Sequence, residues 1–227
     1  MKPPHDMGGD LSTPVMPDKA GDPKFAEEWH RRALGLTIAT GAMGAWSIDA
    51  SRYARESLPA DDYKRFSYYE KWLGALTNLL FLRGFISEQE IISGHATEIA
   101  STEWQNKILR RDNVVKVLQA GAPTRRPEKS PKFFIGQIVH VKQPSDTLLT
   151  TPGHTRLPHY VANKKGTILR HHGVYVFPNS HAHFMGEQPE NLYAVEFNSH
   201  DLWRSVASPL DKVVVDCWES YLEPVKN

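Results

Sequence analysis

Ala122-Pro123-Thr124-Arg125-Arg126-Pro127-Glu128-Lys129-Ser130-Pro131-Lys132 is the stretch on which the fold turns. It holds three prolines and several basic residues, with no apolar period. It therefore reads as a linker. Before it, apolar residues recur every three or four positions. After it, they alternate. The period changes from about 3.6 to 2, the signature of helices giving way to strands. The expected architecture is α+β, with an all-α front half and an all-β back half. The expected domains are residues 1–122, an arm with a helical domain, and residues 131–227, a small β-barrel.

Working back from the linker, Lys107 to Ala120 reads as a helix closed by Gly121. Ser87-Glu88-Gln89-Glu90 has capping-box spacing before Ile91-Ile92. The longest helix is expected from a cap at Asp61 or Asp62 to about Arg83, with Gly84 as its C-cap. Tyr69, Trp72, Leu73, Leu76, Leu79 and Leu80 give it a wide apolar stripe. Ser47 is a good N-cap for a helix that Pro59 stops. Phe25, Trp29, Ala33, Leu36 and Ala39 mark an earlier helix that ends near Gly41 and Gly44. Residues 1–22 are rich in proline and glycine and would be disordered alone. Met7, Leu11, Val15 and Met16 suit that arm to a partner surface.

Working forward, Gln137–Val141, Gly166–Leu169, Leu192–Phe197 and Lys212–Asp216 read as strands. Short strands separated by turn signals suggest a small barrel or roll. Between the first two lies Pro152-Gly153-His154-Thr155-Arg156-Leu157-Pro158-His159-Tyr160. Pro158 pushes Leu157 towards extended geometry. The segment reads as a stiff loop that holds out Arg156. A guanidinium so held can fork two hydrogen bonds onto an oxyanion, which lysine cannot copy. A surface arginine that caps a carbonyl or pairs with an acid fits the same loop.

The composition is that of a soluble globular chain: 227 residues, 40% hydrophobic and 23% charged, with a net charge of +1. So balanced a charge steers the chain to neither nucleic acid nor an acidic membrane. No apolar run follows the first residues as in a signal peptide, and the run from Trp72 to Leu82 is too short to span a bilayer. A soluble, cytoplasmic protein is expected. One cysteine, Cys217, rules out an internal disulfide. Its alternation with Val213 and Val215 marks it as a small buried hydrophobe rather than a nucleophile.

Other candidates are weighed on the same terms. His181 and His183 form an H-x-H on what looks like a hairpin loop, with His171 and His172 before them. No cysteine is near, and Glu187 completes no recognised ligand spacing. No metal site is assigned to this chain. The glycine-rich and nucleophile motifs of three common enzyme classes are missing. Arg52 falls mid-helix, with Asp49 three residues before and Glu56 four after, so a solvated ion pair of about 0.3–0.5 kcal/mol accounts for it. Tyr68 and Trp72 share a helix face. They fit core packing, or an apolar pocket with one polar handle.

Taken together, these pieces resemble the β subunit of nitrile hydratase. The likeness runs almost end to end. It includes His5-Asp6-Met7-Gly8-Gly9, Phe25-Ala26-Glu27-Glu28-Trp29 and Tyr68-Tyr69-Glu70-Lys71-Trp72-Leu73. It continues through Phe134-Ile135-Gly136-Gln137-Ile138-Val139, the Gly153–Tyr160 loop and Lys165-Gly166-Thr167-Ile168. It closes on Trp218-Glu219-Ser220-Tyr221-Leu222-Glu223-Pro224. Each piece is weak alone; their order and spacing are specific.

The resemblance implies an enzyme that hydrates a nitrile to the amide. It implies an α-subunit partner, as a heterodimer or an α2β2 tetramer, that holds non-corrin cobalt or non-haem iron in a cysteine-rich loop. Two of those cysteines are oxidised to sulfenic and sulfinic acid. Arg52 and Arg156 match the arginines that hydrogen-bond the oxidised cysteine oxygens, and are the expected catalytic residues. Ile48, Tyr68 and Trp72 match substrate-pocket positions. Tryptophan at the last of these is more like cobalt-type members. Ser51 departs from the family, where several members place an aromatic. The back half is expected to be a Src-homology-type barrel, and the arm to wrap the α subunit. Two alternatives follow: a subunit of a related thiocyanate hydrolase, or a non-catalytic metallochaperone or activator of the α subunit. The unbroken linker argues against the first, and the strands with Arg156 against the second.

Overall fold

The computed structural model describes residues 3–8, 16–17, 19–143, 153–204 and 210–225. The chain divides into two compact units. One is Pro14–Pro123; the other joins Met1–Thr13 to Thr124–Asn227. Of the expected positions, Leu11, Val15 and Pro152 lie outside the described residues.

The first unit is helical. Its helices are α1 Glu28–Gly41, α2 Ile48–Glu56, α3 Ala60–Arg65, α4 Tyr68–Leu82, α5 Glu88–Ser93, α6 Thr102–Asn106 and α7 Val114–Ala120. Ser47 caps α2, its Oγ accepting from the Ala50 amide at 3.0 Å. Ser87 and Glu90 bond reciprocally at the start of α5. The expected long helix from Asp61 is two. Phe66 turns extended, and Ser67 starts α4 afresh with its amide donating to Glu70 at 2.7 Å. Asp62 is engaged by Arg65, which forks onto one carboxylate oxygen at 2.8 and 3.0 Å. The capping box at Ser67 satisfies two orphan amides at once, so the break falls there. The expected last helix is likewise shorter, running into α7 from a 3-10 turn at Arg111–Asn113.

Small residues set this unit's core. Ala45, Trp46, Ala50, Ala54, Ala75, Leu76 and Leu79 form one buried cluster, with Phe85 and Trp104 against it. The alanines of α2 and α4 let the two helices pack closely, which places the exposed residues of α2 beside the first turns of α4.

The second unit is an antiparallel sheet. Its strands are β1 Arg125–Arg126, β2 Ile138–Val141, β3 Lys165–Tyr175, β4 Glu190–Asn198, β5 Lys212–Trp218 and β6 Leu222–Pro224. The order is β5-β4-β3-β2-β6, with β1 on the far end of β3. The supposed linker thus contributes a strand, and Arg126 holds it with two hydrogen bonds to Glu187. Two bulges in β3, at Ile168/Arg170 and His171/Gly173, break the register against β4 and bend the sheet. Gly166 is required where β3 crosses β4: a Cβ there would lie 2.6 Å from Val195 and 2.7 Å from Phe197.

The expected barrel is not closed by hydrogen bonds. Among the described residues no ladder joins β5 to β6. The chain leaves β5 through a 3-10 turn, Glu219–Tyr221, and the three residues of β6 pair with β2 alone. The core is built all the same from Val139, Val141, Leu157, Val161, Ile168, Tyr193, Val195, Phe197 and Tyr221, each nearly or wholly buried. Two short helices complete the unit, α8 Pro178–Ala182 and α9 Ser199–Trp203. The first replaces the hairpin loop expected at Asn179–His183.

Candidate active site

In the helical unit, four turns of helix present the candidate residues. Ile48 opens α2 and is half-exposed. One turn on, Arg52 donates from Nη1 to Asp49 Oδ1 at 2.9 Å. The Asp49 side chain is only 5% exposed, whereas that of Arg52 is 37% exposed. The ion pair therefore anchors one edge of the guanidinium and turns it outward. Of the two acids within reach on the sequence, Asp49 is the one that ties down Nη1.

Tyr68 and Trp72 lie on the first two turns of α4, with ring centroids 5.4 Å apart. Tyr68 is largely exposed and Trp72 partly buried. Trp72 is held from its other neighbour too: the guanidinium carbon of Arg55 lies 4.9 Å from the ring centroid. Burial, the largest effect on Arg55, lowers its pKa from the ordinary arginine value, while Tyr68 works against that shift. Arg55 Nη1 also makes a long contact, 3.5 Å, with Ser51 Oγ. Sequence reasoning missed Arg55. The available signal was its place one turn beyond Arg52 on the same helix.

In the sheet unit, Arg156 sits on the loop between β2 and β3. The loop is tied by its backbone. The His154 amide donates to His183 Nε2 at 3.2 Å. The Arg156 amide and Thr155 Oγ1 both donate to the Tyr221 hydroxyl at 3.2 Å. The His159 amide donates to Asp6 at 2.9 Å. That last bond brings the start of the chain onto the loop. Gly8 lies so close to Tyr160 that a Cβ would be 2.8 Å from its ring. Leu157 is buried, and Arg156 beside it is exposed. Among the described residues nothing accepts a hydrogen bond from its guanidinium. The carbonyl cap or acid pair that would explain a routine surface arginine is not seen there.

The histidines serve other ends. His171 bonds Asn191 and His172 bonds Asp216, each at 3.0 Å. His181 and His183 fall on and just after α8, where residues two apart do not share a face. Among the described residues no three His, Cys, Asp or Glu side chains converge as metal ligands. Cys217 is fully buried, and burial pushes its thiol up to about 12. It is a thiol at neutral pH and not a nucleophile.

Each unit thus offers one fork of donors, Arg52 in the helical unit and Arg156 in the sheet unit. Both are suited to an oxyanion.

Family models described as nitrile hydratase β subunit, N-terminal and C-terminal, match residues 1–122 and 122–224. The chain is 31% identical to the low-molecular weight cobalt-containing nitrile hydratase subunit beta of Rhodococcus rhodochrous, over 97% of this chain and 98% of that one. It is 29% identical to the cobalt-containing nitrile hydratase subunit beta of Pseudonocardia thermophila, over 97% and 95%. Among solved structures, a recombinant apo-enzyme of thiocyanate hydrolase from Thiobacillus thioparus shares 20% identity with a TM-score of 0.39, covering 62% of this chain and 98% of its own.

Proposed function

The chain belongs to the nitrile hydratase β-subunit family, and from that premise we propose that it works with an α subunit to add water to a nitrile, giving the amide. The observation that carries its part in the reaction is Arg156: a guanidinium exposed on a loop whose backbone is tied at three points. A group so held loses little further freedom when it binds an anion.

We place the metal outside this chain, a reading supported by two facts: among the described residues no three His, Cys, Asp or Glu side chains converge, and Cys217 is a buried thiol. The metal belongs on the α subunit, whose oxidised cysteines supply the anions. The cobalt named in the two relatives favours cobalt over iron. Arg52 and Arg156 each donate to the oxidised cysteine oxygens. A buried sulfenate needs such charge-assisted donors, and they favour its deprotonated form. Ile48, Tyr68 and Trp72 line the substrate pocket, with the Tyr68 hydroxyl as its polar handle.

The strand order, with a 3-10 turn leading into a last strand paired to β2, supports an open, bent sheet of the Src-homology type. No helix among the described residues is long and apolar enough to cross a membrane, in keeping with a cytoplasmic enzyme. Both family parts follow each other in one chain, which favours nitrile hydratase over a thiocyanate hydrolase with divided subunits.

Co-expression with the α subunit, followed by metal analysis and a nitrile hydration assay, tests the reading. A stable complex that contains cobalt and releases amide is expected. A metal-loaded complex that makes no amide from any nitrile would overturn it.

A further inference from the structure

The hydroxyl of Tyr221 stands at the centre of a directional chain of hydrogen bonds. The Leu157 amide donates to Thr155 Oγ1 at 3.1 Å. Thr155 Oγ1 donates to the Tyr221 hydroxyl, as does the Arg156 amide. The Tyr221 hydroxyl donates in turn to Asn179 Oδ1. A phenol has one proton to give and room to accept two, so every bonding position of this hydroxyl is used. Tyr221 and Asn179 are both almost fully buried. The tyrosine ring packs beside Phe177 and Trp218, so core contacts fix where the hydroxyl lies. Burial also pushes its pKa well above the ordinary tyrosine value. The proton needed for the bond to Asn179 therefore stays in place across the working pH range.

We infer that Tyr221, with Asn179 behind it, is a positioning residue for the reaction: it fixes the backbone at Arg156 and thereby the reach of that guanidinium. The bond arrives at the amide of Arg156 itself, not at a neighbour several residues away. The tether comes from the 3-10 turn Glu219–Tyr221, which is seated in the sheet core, and its backing comes from α8. A loop whose own residues are mostly polar or proline thus takes its rigidity from the core. This inference rests on the proposed role of Arg156.

The test uses the co-expressed complex with the α subunit. Tyr221→Phe keeps the ring and removes the tether. Its complex should assemble with unchanged metal content. Its kcat should fall about tenfold or more, with KM changed much less, since a displacement near 1 Å costs up to about a hundredfold. Adding Tyr221→Phe to Arg156→Lys should cost nothing further, because the tether then has no fork to position. Hydrogen exchange at residues 153–158 should quicken in Tyr221→Phe while β3 and β4 stay protected. Asn179→Ala should give the same pattern, more weakly, and decides the matter if Tyr221→Phe fails to assemble. Unchanged exchange at 153–158 would overturn the tether. Losses that add in the double variant would overturn its action through Arg156. Full activity in Arg156→Lys, with faster loop exchange in Tyr221→Phe, would instead overturn the proposed role of Arg156 and with it the positioning role.

Discussion

Arg52 and Arg156 are presented by opposite means. Arg52 is aimed through its side chain, by an ion pair to a carboxylate that is almost buried. Arg156 is aimed through its backbone, with its guanidinium left to solvent. In both, what matters is a planar fork at a fixed place. Arg52→Lys and Arg156→Lys put a point charge there instead. Each variant should assemble with the α subunit and take up metal, yet lose about a hundredfold to a thousandfold in kcat, the range seen when one donor to a developing anion is removed. Steady-state amide formation on purified complexes checks this; wild-type rates in both would end the role. The Trp72 wall of the proposed pocket rests on a less obvious residue. Arg55 lies over Trp72 and comes from another helix, so the indole is gripped by a contact that links α2 to α4.

At the scale of elements, the helical unit is punctuated by capping boxes. Ser67 with Glu70 and Ser87 with Glu90 decide where α4 and α5 begin. Ser67→Ala should destabilise the chain by about 1 kcal/mol, read from urea unfolding. The start of α5 also carries a pH dependence. Glu90 accepts from the Ser87 amide at 2.9 Å and the Thr97 amide at 2.8 Å, and these bonds hold its carboxyl at about 2, below the ordinary 4.5. A carboxyl lowered by folding stabilises the fold above its unfolded value and stops doing so as the pH falls through its folded value. Amide exchange at Ser87 and Thr97, corrected for intrinsic rates, should therefore quicken as the pH drops from 4.5 towards 2. Glu90→Gln should remove that dependence; if it does not, another group is responsible. Boundaries of this kind were half-legible. Serine before Glu-x-Glu at α5 was plain. At α4 the sequence pointed to Asp61 or Asp62, but both fall inside α3, and Ser67 caps α4 where Phe66 turns extended.

At the scale of the whole molecule, several large apolar side chains stand in solvent. On the helical unit Ile91, Ile92, Ile99, Val115 and Leu118 are all at least half-exposed. With a net charge of only +1, little repulsion keeps copies apart. The chain expressed alone should bind a hydrophobic dye strongly and self-associate. The complex with the α subunit should bind much less dye per chain and run as a defined heteromer on a sizing column. Equal dye binding in both would mean that the partner covers a different face. The start of the chain is better placed than its composition suggested. Asp6 and Gly8 lie against the Arg156 loop, so at least this part of the arm has a seat on its own chain.

Much of this was determined by the sequence itself. The change of period across Ala122–Lys132 separates helices from strands, because side-chain periodicity is a local property of the backbone. Ser47, Ser87 and the valines around Cys217 act within a few residues, so their roles could be read in place. The tertiary structure decided the rest. Arg125 and Arg126 become a strand only because Val174 and Tyr175 lie alongside. The bulges of β3 exist only against β4. Tyr221 reaches Arg156 across 65 residues of chain. Such contacts are set by which strands meet and in what register, and neither is written in the spacing of neighbouring residues. The sequence could say that Arg156 would be held out; only the packed core determines what holds it.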